Sequence, residues 1–91
     1  MSEQPVLPWF EALQETIRFV KDNLDRSSNG IAQLHILHFL LQRIDFSELD
    51  REQKRQLANV LDALALVATV HYGRAGAIFG GIAMAIRKGM L

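Results

Sequence analysis

Apolar residues recur every three or four positions over most of the chain, which is the period of an amphipathic α-helix. The clearest stripe begins just after Pro8, and proline suits the first turn of a helix because its missing N–H would be unpaired there. The stripe consists of Phe10, Leu13, Ile17, Val20 and Leu24. We therefore predict a first helix over residues 8–25, with Phe19 as a large apolar side chain well off the stripe.

The next two predicted helices differ in how their apolar residues are arranged. Residues 31–45 are apolar almost all round, apart from a narrow polar strip. A helix with two apolar faces usually lies at the centre of a bundle, so we expect this one to be central. Residues 51–72 form a third amphipathic helix, but Leu66 and Val70 lie on the side opposite its main apolar stripe.

The breaks between these helices contain residues that typically begin and end helices. Asp50, followed three positions later by Gln53, has the pattern of a capping box at the start of the third helix. Gly73 is placed to end that helix, because glycine takes a positive φ without a Cβ clash. Ser28 or Asn29 is expected to cap the second helix.

The last predicted helix, residues 75–88, contains three interior glycines, Gly76, Gly80 and Gly81. Each costs about 1 kcal/mol of helix stability relative to alanine, so the three together cost about 3 kcal/mol. Close contact with another backbone offsets such a loss through dispersion energy. Three interpretations are open: the small face is simply exposed, it packs on a helix of the same chain, or it packs on another protein. The opposite arc carries the side chains expected to face the core: Ile78, Phe79, Ile82 and Ile86.

The four predicted segments indicate an all-α protein, a compact four-helix bundle that forms one domain over residues 1–91 with a flexible tail at residues 1–7. A domain of this size buries roughly 60–65% of its unfolded surface, so packing against a second copy would add stability. We therefore favour a homodimer. Its expected interface combines the small face of the last helix with three apolar residues off the core: Gly76, Ala77, Gly80, Gly81, Met84, Phe19, Leu66 and Val70.

Charge is balanced overall but uneven along the chain. Ten acidic and ten basic residues give a formal net charge of zero, so no overall field attracts nucleic acid or anionic lipid. All ten acids precede residue 63, and the last third is apolar and basic, which makes peripheral membrane binding an alternative function. Arg51, Lys54 and Arg55 form a local basic cluster, which makes a small DNA-binding regulator a second alternative.

Few residues suggest chemistry. His35 and His38 lie one helical turn apart, a spacing that can chelate a divalent metal, but a polar strip is the preferred interpretation because a third ligand must come from elsewhere. The chain has no cysteine, no nucleophile motif and no phosphate loop, so we predict no catalytic residue, cofactor or small-molecule substrate. No signal peptide is visible, which favours a cytoplasmic location. The sequence thus predicts a non-enzymatic protein–protein interaction module: an adaptor, an inhibitor or a subunit.

Overall fold

The computed structural model describes residues 7–24 and 29–91. Four α-helices follow one another in this part of the chain: α1 (Pro8–Asn23), α2 (Gly30–Gln42), α3 (Arg51–Tyr72) and α4 (Arg74–Arg87). A short 3-10 helix, Phe46–Glu48, lies between α2 and α3. No strand occurs within the described ranges, and the predicted all-α four-helix fold is confirmed.

The second helix is shorter than predicted. α2 ends at Gln42 rather than at residue 45, because Asp45 caps the 3-10 helix instead of continuing α2. The Asp45 Oδ1 accepts hydrogen bonds from the Ser47 hydroxyl at 2.5 Å and from the Ser47 N–H at 3.0 Å. These two bonds, the one from the hydroxyl above all, hold the pKa of Asp45 below its usual value. Aspartate is favoured at such positions over helix interiors, so the local chemistry explains the early end.

Part of the N-terminal prediction falls outside the described residues. This applies to residues 1–6 of the predicted tail, to the predicted end of the first helix at residue 25, and to the candidate cap Ser28. Leu7, the last residue of the predicted tail, is partly buried and packs against the core.

The two predicted signals at the ends of α3 are confirmed. The Gln53 N–H donates to the Asp50 Oδ1 at 2.7 Å, and the Asp50 N–H donates to the Gln53 Oε1 at 3.0 Å, which completes the capping box. Gly73 ends the helix with a φ of +57°, and its N–H donates to the Thr69 carbonyl at 2.9 Å. Because α4 begins at the next residue, the chain reverses at Gly73.

The core is built around α3, which packs against both α1 and α4. Its Leu57, Leu61 and Leu64 side chains are fully buried, and the apolar stripe predicted for α1 is buried as expected. The prediction that the second helix is central is wrong. α2 packs through one stripe, Leu34, Leu37 and Leu41, and leaves its other apolar face in solvent.

α4 runs antiparallel to α3 and packs closely against it. Its buried stripe contains Gly76, Phe79, Ala83 and Ile86, so the predicted core face is rotated and Ile78 is exposed. The rotation follows from close approach of the two helices: a Cβ at Gly76 would overlap the backbone of Ala68 and Thr69. Gly76 therefore packs on a helix of its own chain. This corrects its predicted place in an interface between chains, because it is buried inside the fold.

Candidate interaction surfaces

A shallow apolar groove runs between α3 and α4, and we call it the α3–α4 groove. Its volume is about 730 Å³, and it forms because the small residues of α4 let the helix lie low against its neighbour. The residues that line it are Asp62, Ala65, Leu66, Thr69, Val70, Ala77 and Gly80. Four residues of the predicted interface are thus brought together by the fold.

Two large side chains form a ridge beside this groove. Leu66 is 75% exposed and Val70 is 81% exposed, although both are aliphatic. They lie four residues apart on α3, so they point the same way from successive turns. Across the groove, Ala77 and Gly80 present little more than backbone, which leaves a trough next to the ridge.

The three interior glycines of α4 have different surroundings. At Gly80 a Cβ would lie 3.6 Å from the Ala65 Cβ, an ordinary contact, and at Gly81 it would meet nothing within 4 Å. Gly76 alone is required by packing within the chain. Gly81 and Met84 are exposed on the same side of α4 as the trough, whereas Phe19 is exposed on α1 and does not line the groove.

A polar contact between α4 and α3, which we call the polar clasp, lies at one end of the groove. Arg87, at the end of α4, pairs with Asp62 and donates a hydrogen bond to the Asn59 side chain at 2.8 Å. The clasp ties the end of α4 to the middle of α3. It also satisfies the carboxylate that lines the groove, so a partner that covers Asp62 would not bury an unpaired charge.

Sequence reasoning missed a second apolar surface, the outer face of α2. Ile36, Phe39 and Leu40 are exposed there, and the Arg43 guanidinium carbon lies 4.5 Å from the centroid of the Phe39 ring. The face borders a depression of about 310 Å³ between α1 and α2 that includes Trp9. The sequence signal is the all-round apolar character of α2, but that pattern predicts a fully buried helix and does not indicate an exposed apolar face.

The histidines do not assemble into a metal site in the part of the chain that the structure describes. No group of three or more His, Asp or Glu residues there is arranged to hold a metal ion. His38 instead packs its ring edge-on against Phe79, with centroids 6.3 Å apart. His35 is exposed on the surface of α2, and His71 is exposed in the last turn of α3.

A third surface feature is a basic cavity at the end of the α3–α4 pair remote from Gly73. Its volume is about 690 Å³. The residues that line it are Arg51, Lys54, Arg55, Ile86, Arg87, Lys88 and Gly89. The predicted cluster at the start of the third helix is therefore joined by two further cations from the end of α4.

Comparison of the chain with protein-family models, with curated protein sequences and with solved structures finds no match. None of the helices within residues 7–24 and 29–91 has the length and apolar character needed to cross a membrane. The candidate binding surfaces are therefore the α3–α4 groove, the outer face of α2 and the basic cavity.

Proposed function

We propose that this chain is a small, non-enzymatic protein–protein interaction module that forms a homodimer through the α3–α4 groove. The observation that carries the proposal is the exposure of Leu66 and Val70 beside the trough of Ala77 and Gly80. Contiguous exposed apolar surface of this kind marks binding sites on small proteins.

The groove is suited to a second copy because ridge and trough lie side by side on the same molecule. A two-fold axis places the same patch of both copies face to face. With such an axis along the groove, the Leu66 and Val70 ridge of one copy enters the trough of the other. This is the ridges-into-grooves packing that joins helices in general, and the absence of side chains at Gly80 and Gly81 allows close approach.

Electrostatics also favour self-association. The formal net charge is zero, so two copies approach without overall repulsion, and proteins near zero net charge associate more readily. At the groove, Asp62 is already neutralised by Arg87 within the same chain. Dimerisation therefore covers apolar atoms without stranding a charge.

Burial supplies the driving force. Full burial of an exposed valine or leucine side chain contributes about 1.5–3 kcal/mol, and a two-fold interface repeats every contact. Association costs at least about 4 kcal/mol in lost translational and rotational freedom. We therefore expect a reversible dimer whose affinity depends strongly on Leu66 and Val70.

The alternative of peripheral membrane binding through the last helix is not favoured by the packing of α4. That function needs a broad free apolar face, but Phe79, Ala83 and Ile86 of α4 are buried against the rest of the bundle. Of the large apolar residues of α4, only Ile78 and Met84 are exposed. Insertion of the buried stripe into lipid would require α4 to leave α3. The groove offers an apolar contact surface without any such rearrangement.

The test is analytical ultracentrifugation of wild type, Leu66→Lys and Ile36→Lys over a series of concentrations. Both substitutions place a lysine at an exposed helical site, but only Leu66 lies at the groove. We expect wild type and Ile36→Lys to move from monomer to dimer as concentration rises, and Leu66→Lys to remain monomeric with unchanged helix content. A wild type that stays monomeric throughout, or a dimer lost through Ile36→Lys alone, would contradict the proposal.

A further inference from the structure

The basic cavity is a product of the fold rather than of any local run of sequence. Arg51, Lys54 and Arg55 come from the first turns of α3, whereas Arg87 and Lys88 follow at the end of α4. The antiparallel return of α4 along α3 brings the two groups to the same cavity. The zero net charge of the whole chain conceals this concentration of positive charge.

Three of the five cations are engaged within the chain. Arg55 pairs with Glu52, which holds the pKa of that carboxyl below its usual value, and Arg87 pairs with Asp62. The Lys54 Nζ donates a long hydrogen bond, 3.4 Å, to the carbonyl of Leu91.

The other two cations, Arg51 and Lys88, have no ion-pair partner in the part of the chain that the structure describes, and both side chains are exposed. Only two side-chain carboxylates, Glu52 and Asp62, are paired with these five cations in the described residues, which leaves a positive balance at the cavity. Like charges around one cavity repel each other, and a bound anion relieves that repulsion.

We propose that the basic cavity binds the phosphate group of a small phosphorylated molecule or of a lipid headgroup. Planar guanidinium groups match phosphate oxygens in two-point hydrogen bonds, and lysines add point charges. The cavity volume lies within the range of small-molecule sites, about 300–1,000 Å³. Ile86 also lines the cavity, but it is buried in the core, so contact with the ligand depends on the surrounding cations.

Side chains, not the start of a helix, supply this site. The N-terminal amides of α3 are partly engaged by its own capping box, in which Asp50 accepts from Gln53. The recognition of an anion therefore depends on the convergence of α3 and α4. Loss of Arg51 and Lys88 removes the two cations of the cavity that pair with no carboxylate among the described residues.

The first test is isothermal titration calorimetry of the full chain with inorganic pyrophosphate as the probe. We expect saturable binding that weakens as salt concentration rises, because the attraction is largely electrostatic. The double variant Arg51→Gln/Lys88→Gln should lose affinity about tenfold or more. The matched control is Arg74→Gln, which removes an exposed cation at the opposite end of α4 and should change affinity by less than about twofold.

Circular dichroism of the variants checks that the helices persist. Leu66→Lys should bind pyrophosphate as wild type does, which would show that the basic cavity acts independently of the α3–α4 groove. Absence of saturable binding to wild type would overturn the proposal. So would a double variant that binds as wild type does, or an Arg74→Gln loss of equal size.

The second test identifies the source of the phosphate group. Vesicles of phosphatidylcholine with a phosphoinositide are compared with vesicles of phosphatidylcholine alone in a sedimentation assay. Pyrophosphate binding together with sedimentation on the phosphoinositide vesicles assigns the site to a headgroup, and pyrophosphate binding without it assigns the site to a soluble phosphate compound. Sedimentation that persists in the double variant would contradict a role for the cavity.

Discussion

The α3–α4 groove and the outer face of α2 both expose large apolar side chains but differ in shape. Leu66 and Val70 form a ridge beside a trough of small residues. On α2, by contrast, Leu40 lines the depression beside α1, but Ile36 and Phe39 lie outside it. A ridge and trough can interdigitate with a copy of themselves, so each apolar group gains contacts on several sides. Exposure of apolar side chains alone therefore does not identify an interface. Small residues beside them are also needed, because they leave room for the side chains of a second copy.

The two regions also differ in how they are held to the core. α4 lies against α3 through Gly76, where there is no room for a side chain, while α2 is attached through a stripe of leucines. A helix seated by direct backbone contact tolerates little change at that contact.

Gly76→Ala should destabilise the protein by about 3 kcal/mol or prevent folding, because the added methyl overlaps the backbone of α3. Gly81→Ala is the matched control in the same helix, and its methyl enters open space. It should raise stability by about 0.5–1 kcal/mol, since alanine is the better helix former. Urea denaturation measures both. Equal stabilisation by the two substitutions would show that α4 does not approach α3 closely.

Gly80→Leu should weaken the dimer about tenfold, or about 1.4 kcal/mol, while leaving the monomer folded. The leucine would fill the trough that receives the opposing ridge in the proposed dimer, yet its Cβ meets only the Ala65 Cβ at 3.6 Å within the chain. Gly80→Ala, which adds a single methyl, should have a much smaller effect. Sedimentation equilibrium compares the three proteins, and a Gly80→Leu dimer as tight as that of wild type would place the interface elsewhere.

Arg55→Gln should have the smallest effect and should leave the groove and the outer face of α2 unchanged. The Arg55 guanidinium lowers the pKa of Glu52, so its removal should raise the midpoint of the Glu52 titration measured by NMR. Because the folded pKa is lowered, the pair stabilises the fold above the unfolded pKa of Glu52, and this contribution disappears as pH falls through the folded pKa. An unchanged midpoint would mean that the pair is absent in solution.

Features that depend on neighbouring residues in the sequence were predictable. The α1 stripe, the capping box of Asp50 and Gln53, and the end of α3 at Gly73 follow from helical period and local hydrogen bonding. The sequence pattern also predicted three apolar side chains outside the core, because each lies off the apolar stripe of its own helix: Phe19, Leu66 and Val70.

Features that depend on which helix covers which face were not predictable. An apolar face at Ile36 and Phe39 looks the same in sequence whether or not another helix covers it. Likewise, three glycines on one side of α4 form one pattern, but only Gly76 meets a backbone. The basic cavity depends on the return of α4 beside the start of α3, which no local pattern encodes.

The most direct measurement of the central claim is an isotope-filtered NMR experiment on a mixture of labelled and unlabelled chains, which detects only contacts between copies. The account predicts intermolecular nuclear Overhauser effects from the Leu66 and Val70 methyl groups to the Ala77 methyl group of the other copy. Intermolecular effects confined to Ile36, Phe39 and Leu40, or none at concentrations where a dimer sediments, would contradict it.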